Sequence, residues 1–180
     1  MRRRGILLEL STRTAVKPMS GKSIEELVED FREMFGLTDV VIFPVLKFLE
    51  LALPQIEIDT EIVEDWELPD AYAITDTGKG IIKIRNSVYE GAYRGVARDK
   101  FTICHEIGHA VLHTPDRVEF ARGSIPKYMQ SEWQANRFAA ALLAPRNLAL
   151  GMMPVQMSNT FQISMDAANF RYQDLCKLNV

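Results

Sequence analysis

The chain has 180 residues, of which 47% are hydrophobic and 25% are charged, as expected for a globular protein of about one domain. This composition excludes a disordered tail, a collagen-like repeat and a small disulfide-stapled protein. Lysine and arginine number 21 against 24 acidic residues, a net charge of −3, whereas a direct nucleic-acid binder needs a basic face.

The ends and the cysteines predict a cytoplasmic protein. The apolar run at the N-terminus breaks at Glu9 and is too short for a signal peptide. The most hydrophobic window, 40–53, falls short of the roughly 20 apolar residues of a membrane span. Cys104 and Cys176 show no pairing pattern, which favours reduced thiols. The arginines at 2–4 suit a solvated terminus or a nucleic-acid arm, and the acidic remainder favours the solvated terminus.

The first half of the chain predicts helices followed by strands. A capping-box pattern over 23–26, starting at Ser23, begins a helix that ends at Gly36. Pro44 suits the first position of a second helix that runs to Leu53. Residues 55–59 alternate as a half-buried strand does, and strands over 71–75 and 81–85 flank a glycine-containing hairpin connection.

The second half predicts mainly helices. Asp99 is a candidate cap for a buried helix over 100–114, and a loop over 116–124 follows with its turn at 122–123. A helix over 131–144 has a buried stripe, and a last helix starts at Ser164. We therefore predict an α+β fold with N-terminal helices, a small antiparallel sheet with a hairpin, a buried helix and C-terminal helices. We expect one domain over 1–180, with 1–20 a flexible extension and 155–180 closing the core rather than forming a helix-turn-helix.

The pattern His105-Glu106-Ile107-Gly108-His109 lies inside the predicted buried helix. Residues four apart share one helical face, about 6 Å apart along the axis, so both imidazoles can bind one metal ion. Glu106 points to the side of that pair, where a carboxylate can act as a general base on water. Two core histidines satisfied by hydrogen bonds are the alternative, but such polar groups in an apolar helix favour a metal partner.

A catalytic zinc ion usually takes three protein ligands, and two residues compete for the third position. His113 lies about 12 Å along the axis from His105, so we predict instead that it caps the helix end with a positive charge. Glu132 lies near the buried stripe of the next helix, where a carboxylate favours a cation. Asn136, one turn later, is predicted to hold Glu132 in place. The alternative for Glu132 is a rim carboxylate paired with Arg137.

The two motifs, HExxH within 101–113 and ExxANxFA within 132–145, together resemble the ImmA/IrrE family of zinc metallopeptidases. The resemblance covers residues 20–150 and implies a zincin-like fold. It also implies one Zn²⁺ per chain, held by His105, His109 and Glu132. Cys104 departs from the small apolar residue expected before the first histidine, although cysteine is itself a small hydrophobe.

We predict a zinc-dependent endopeptidase in which Glu106 takes a proton from water and passes it to the leaving amine. Candidates for substrate or oxyanion contacts are Tyr128, Arg137 and His113. The resemblance implies cleavage of a cytoplasmic regulatory protein, such as a helix-turn-helix repressor or an antitoxin, in stress or mobile-element regulation.

The alternative function is a non-catalytic, zinc-bound interaction module that binds a transcription factor or a toxin–antitoxin partner. Glu106 argues against this alternative, because a purely structural metal site needs no general base. Direct DNA binding is disfavoured by the net charge.

Overall fold

The computed structural model describes residues 14–113, 118–120 and 126–178. Its order of elements confirms the predicted α+β class, with helices, a three-stranded sheet and then further helices. The strands are β1 (Thr14–Val16), β2 (Asp59–Val63), β3 (Ala73–Asp76), β4 (Ile81–Arg85) and β5 (Val118–Phe120). The helices are α1 (Gly21–Met34), α2 (Val45–Leu51), α3 (Asn86–Tyr93), α4 (Ala97–Leu112), α5 (Ser131–Leu143), α6 (Arg146–Ala149), α7 (Pro154–Phe161) and α8 (Met165–Leu178).

Helix α1 begins before the predicted capping box. Ser20 is the cap, and its Oγ accepts a hydrogen bond from the backbone nitrogen of Ser23 at 3.0 Å. The prediction of a cap at Ser23 is therefore wrong, because the extended backbone of Ser20 (φ −73°, ψ 157°) already lets the helix start at Gly21. The apolar residues Ile24, Val28 and Phe31 recur at helical spacing and are all buried.

The predicted strand over 55–59 is wrong. Helix α2 is followed by a 3₁₀ turn, Leu53–Ile56, with Pro54 in its first turn. The backbone nitrogens of Glu57 and Ile58 donate back to the carbonyls of Pro54 and Leu53. Because these N–H groups are used within the turn, they cannot join a strand ladder, and strand β2 starts only at Asp59.

The three-stranded sheet is mixed rather than purely antiparallel, with strand order β2-β4-β3. Strands β3 and β4 form the predicted antiparallel hairpin, in which Ala73 faces Ile84. Strand β2 pairs parallel with β4, with Asp59 facing Ile81. The chain reverses direction between β2 and β3 and again between β3 and β4, so β2 and β4 run parallel. In the described part of the chain, the other edge of β3 carries no strand.

Helix α4 starts at Ala97, earlier than predicted, and Asp99 is not its cap. Val96 occupies the cap position, and Asp99 lies buried in the first turn. Its carboxylate is held by Arg98 at 2.8 Å and lies over Gly91, where an added Cβ would come within 1.9 Å of it. Glycine at 91 thus lets helices α3 and α4 approach each other. The residue after the last turn of α4 is His113.

Part of the predicted N-terminal extension and part of the predicted 116–124 loop form a two-stranded ribbon. Strand β1 pairs antiparallel with β5, so that Val16 faces Val118. Val16 is buried. The predicted flexible segment therefore does not extend to residue 20, and the predicted loop contains a strand. Residues 1–13, 116–117 and the turn at 122–123 lie outside the described residues.

Helices α5 and α8 agree with the predicted pattern, whereas α6 and α7 were not predicted. Helix α5 starts at Ser131, and its stripe is buried as predicted at Ala135, Phe138, Ala139, Leu142 and Leu143. Helix α8 starts after Ser164, whose Oγ accepts from the backbone nitrogen of Ala167 at 3.1 Å. It buries Ala168 and Leu175. Among the described residues no helix is both long and apolar enough to cross a membrane.

The core contains two buried cations with carboxylate partners. Arg171 is fully buried, and its guanidinium binds both carboxylate oxygens of Glu25 on α1, with one contact at 2.8 Å. Its Nε donates to the carbonyl of Ala144 at 2.8 Å, and Arg137 pairs with Asp174 at 2.7 Å. These contacts tie helices α1 and α8 to α5, the helix that carries Glu132.

Arg171→Met should lower the free energy of unfolding by about 3–5 kcal/mol, because it leaves the buried Glu25 carboxylate without a partner. The double variant with Glu25→Leu removes both charges and should recover most of this loss. Urea denaturation measures both variants. A loss in the single variant below about 1 kcal/mol, the value typical of an exposed ion pair, would contradict this account.

Candidate metal centre

The centre lies where helices α4 and α5 cross closely. A Cβ added to Gly108 would lie 3.2 Å from both the Cα and the carbonyl oxygen of Ala135 on α5, which is tighter than ordinary van der Waals contact. Glycine at 108 therefore allows the two backbones to meet. The close approach brings the inner face of α4, with His105 and His109, opposite Glu132 on the first turn of α5.

The three predicted metal ligands converge on one point. The Nε2 atoms of His105 and His109 are 3.0 Å apart. Each of them lies 3.2 Å from a different carboxylate oxygen of Glu132. The ligand atoms of all three residues lie within 4.8 Å of one another, so these residues could hold a metal ion.

Neighbouring side chains orient both imidazole rings. The Nδ1 of His105 donates to Oδ1 of Asn136 at 3.0 Å, because an amide oxygen can only accept. Asn136 thus supports His105 rather than Glu132, the residue that the sequence predicted it to hold. The Nδ1 of His109 contacts Nδ1 of His113 at 2.9 Å. Each ring therefore turns its Nε2 toward Glu132.

The ionisation of the cluster favours positive charge among its three ligand residues. Hydrogen bonds from His105 and then His109 hold the pKa of Glu132 well below its usual range. Burial disfavours a charge on His105, but the hydrogen bond to Glu132 and the charges of Glu106 and Glu132 outweigh it and raise the pKa of His105. Two imidazole nitrogens and a carboxylate at this spacing are stable with protons or a metal ion between them. Two imidazoles and one carboxylate also form a donor set that zinc accepts.

Glu106 lies beside the cluster and is buried. Its Oε2 accepts a hydrogen bond from the Thr75 hydroxyl at 2.7 Å, shorter than the 3.0 Å between that hydroxyl and the Glu106 carbonyl. Thr75 belongs to strand β3. A threonine within a predicted strand did not stand out in the sequence as a residue of the site. A cavity of about 280 Å³ is lined by Ala73, Ile74, Thr75, His105, Glu106, His109 and Glu132. Glu106 and the cluster thus share one cavity with the open edge of β3.

His113 differs from the prediction. It follows the last turn of α4, but it is buried, and burial, followed by the charge of His109, lowers its pKa to about 4. Because a buried imidazolium is unfavourable, His113 is neutral near pH 7, and the predicted cationic cap is wrong. Its Nε2 contacts Oε1 of Gln134 at 3.1 Å. The ring is therefore enclosed between α4 and α5 and does not face the cavity as a substrate contact.

Of the other two candidate contacts, Arg137 does not join the cluster. The Arg137 guanidinium binds Asp174 at 2.7 Å and stacks over the Trp133 ring, 4.7 Å from its centre. Five positions after Glu132, it lies on a different face of α5, so the predicted oxyanion contact and the alternative pairing with Glu132 are both wrong. Tyr128 belongs to the 3₁₀ turn Lys127–Met129, and its side chain lies outside the described residues.

The fold and the site define a class of metallopeptidase-like domain, with HExxH on a buried helix and a carboxylate supplied by the next helix. The family model of Peptidase_M78, described as the IrrE N-terminal-like domain, matches residues 70–172. Since this is more than half of the 180 residues, the chain belongs to that family. The predicted resemblance is confirmed, but the match starts at residue 70 rather than at residue 20, and it reaches further toward the C-terminus, into α8. No curated protein and no solved structure shows significant similarity to the chain.

His113→Phe should flatten the pH dependence of stability of the metal-free protein between about pH 4 and pH 6.5. The pKa of His113 falls from its ordinary value of 6.5 to about 4 in the folded protein, so the unfolded chain binds more protons in this range and acid favours unfolding. This group adds up to about 1.4 kcal/mol per pH unit to the wild-type slope. Urea denaturation with a chelator, from pH 7 to pH 4.5, measures both slopes. Equal slopes in the two proteins would contradict the assignment.

Proposed function

We propose that this chain is a zinc-dependent endopeptidase that cleaves a cytoplasmic regulatory protein, such as a helix-turn-helix repressor or an antitoxin. The observation that carries the proposal is the convergence of His105, His109 and Glu132 in one cavity with the carboxylate of Glu106. The choice of substrate comes from the family resemblance, and membership of a peptidase family supports the class of reaction.

The residues divide the chemistry among them. His105, His109 and Glu132 would hold the ion. When bound, zinc supplies a Lewis acid that lowers the pKa of water toward about 7 and polarises a carbonyl. Glu106 accepts the proton of the attacking water and donates it to the amine that leaves when the peptide C–N bond breaks. Thr75 holds Glu106 through its hydroxyl, which keeps that carboxylate on the cavity side of α4.

The position of the cavity suits an extended peptide. Ala73, Ile74 and Thr75 line it along β3, whose outer edge has no strand partner in the described part of the chain. An extended segment can therefore pair its backbone with this edge and place a peptide bond over the cluster. A flexible segment of a regulatory protein offers such a conformation more readily than a folded domain does.

Two variants separate metal binding from catalysis. Glu106→Gln keeps all three ligands, so it should still bind about one zinc per chain, and it should cleave nothing. Glu132→Ala removes one ligand and should lose most of the zinc and the cleavage together. Elemental analysis after purification without chelators measures zinc. Labelling of protein N-termini in cells that express each form measures cleavage.

The expected result is a set of new N-termini in regulatory proteins that appears only with the wild-type chain. Identical N-termini in cells expressing wild type and Glu106→Gln, with zinc bound to both, would overturn the peptidase and support the non-catalytic interaction module. A wild-type chain that binds no zinc, even after attempted reloading, would overturn the metal centre itself.

A further inference from the structure

A continuous line of hydrogen bonds runs from His109 to the backbone beside strand β1. His109 Nδ1 lies 2.9 Å from His113 Nδ1, and His113 Nε2 lies 3.1 Å from Gln134 Oε1. The Gln134 amide nitrogen donates to the carbonyl of Lys17 at 2.9 Å. His113 and Gln134 are 3% and 1% exposed, so water does not compete for these bonds.

The Lys17 carbonyl sets the direction of every bond in this line. A carbonyl oxygen can only accept, so the amide nitrogen of Gln134 faces Lys17 and its oxygen faces His113. That oxygen also accepts, so His113 must donate from Nε2. A neutral imidazole has one N–H group, which leaves the Nδ1 of His113 as an acceptor. His109 therefore donates from Nδ1, which leaves the lone pair of its Nε2 available to a metal ion whenever that nitrogen carries no proton.

We propose that His113 and Gln134 are positioning residues that fix the tautomer and ring orientation of His109 for metal binding, with the direction set by the Lys17 carbonyl. This inference rests on the proposed metal centre. A single partner, Asn136, fixes the same tautomer in His105. The tautomer of His109 is instead fixed by His113, which is itself held by Gln134. The two-step support links the metal centre to the segment that leaves β1.

The histidine nitrogens give a direct test that needs no metal. The chain contains three histidines, so ¹⁵N-histidine labelling yields a spectrum of three imidazoles that single variants can assign. In metal-free wild type near pH 7, His113 should carry its proton on Nε2 and none on Nδ1, and the zinc-loaded protein should show the same. A proton on Nδ1 of His113 would overturn the proposal.

A matched pair of variants tests whether Gln134 positions His113 or only tethers the Lys17 segment. Gln134→Leu and Gln134→Glu both lose the bond to Lys17, but only the leucine loses the acceptor for His113. Zinc affinity, measured by competition with a chelator, should fall about 10–100-fold in Gln134→Leu, the usual effect of losing a partner of a ligating histidine. In Gln134→Glu it should stay near the wild-type value. Equal losses in both variants would mean that Gln134 only tethers the Lys17 segment, and would overturn the proposal.

His113→Phe guards against misfolding of the Gln134 variants, because it keeps a ring of similar shape and removes both nitrogens. Its zinc affinity should also fall about 10–100-fold, while circular dichroism stays unchanged. Wild-type affinity in a folded His113→Phe would overturn the proposal. A wild-type chain that binds no zinc would overturn the proposed function, and the tautomer of His113 in the metal-free protein would still decide the inference.

Discussion

The close crossing of helices α4 and α5 at Gly108 is the constraint on which the centre depends. Any side chain at this position would press on the backbone of Ala135 and separate the helices by tenths of an ångström. That separation would move Glu132 and Asn136 away from the two histidines they contact. The rest of the core supports this crossing, because the buried cations Arg137 and Arg171 bind α5 to the helices around it. The geometry of the cluster is thus a consequence of packing.

The proposed function rests on a local conflict that this packing creates. Asn136 on one side and His113 on the other turn both Nε2 atoms toward a carboxylate. Such a group of acceptors is costly to bury unless positive charge lies among them. In the metal-free chain the raised pKa of His105 and the lowered pKa of Glu132 show where that charge is favoured. A divalent ion would supply the same positive charge. The carboxylate of Glu106 lies beside that position, and a purely structural site requires no such base.

The residues of the cluster were predictable from sequence because their signals are local. Helical geometry places His105 and His109 on one face because they are four residues apart, and it also predicts the buried stripe beside Glu132. The start of α5 was predictable in the same way. The features that were predicted wrongly or missed depend on tertiary neighbours. The neutral state of His113 depends on burial against Gln134, and the role of Thr75 depends on β3 crossing over α4. The parallel pairing of β2 follows from the order of strands, which alternation of residues does not encode.

The central claim is that His105, His109 and Glu132 bind one divalent ion together. Zinc-edge X-ray absorption on the protein purified without chelators tests it most directly, since it reports the ligand atoms around the ion. The account predicts two imidazole nitrogens at about 2.0–2.1 Å with the remaining ligands oxygen, the distances typical of zinc bound by histidine and carboxylate. A sulfur shell at about 2.3 Å, or a single imidazole, would place the ion elsewhere in the chain and contradict the account.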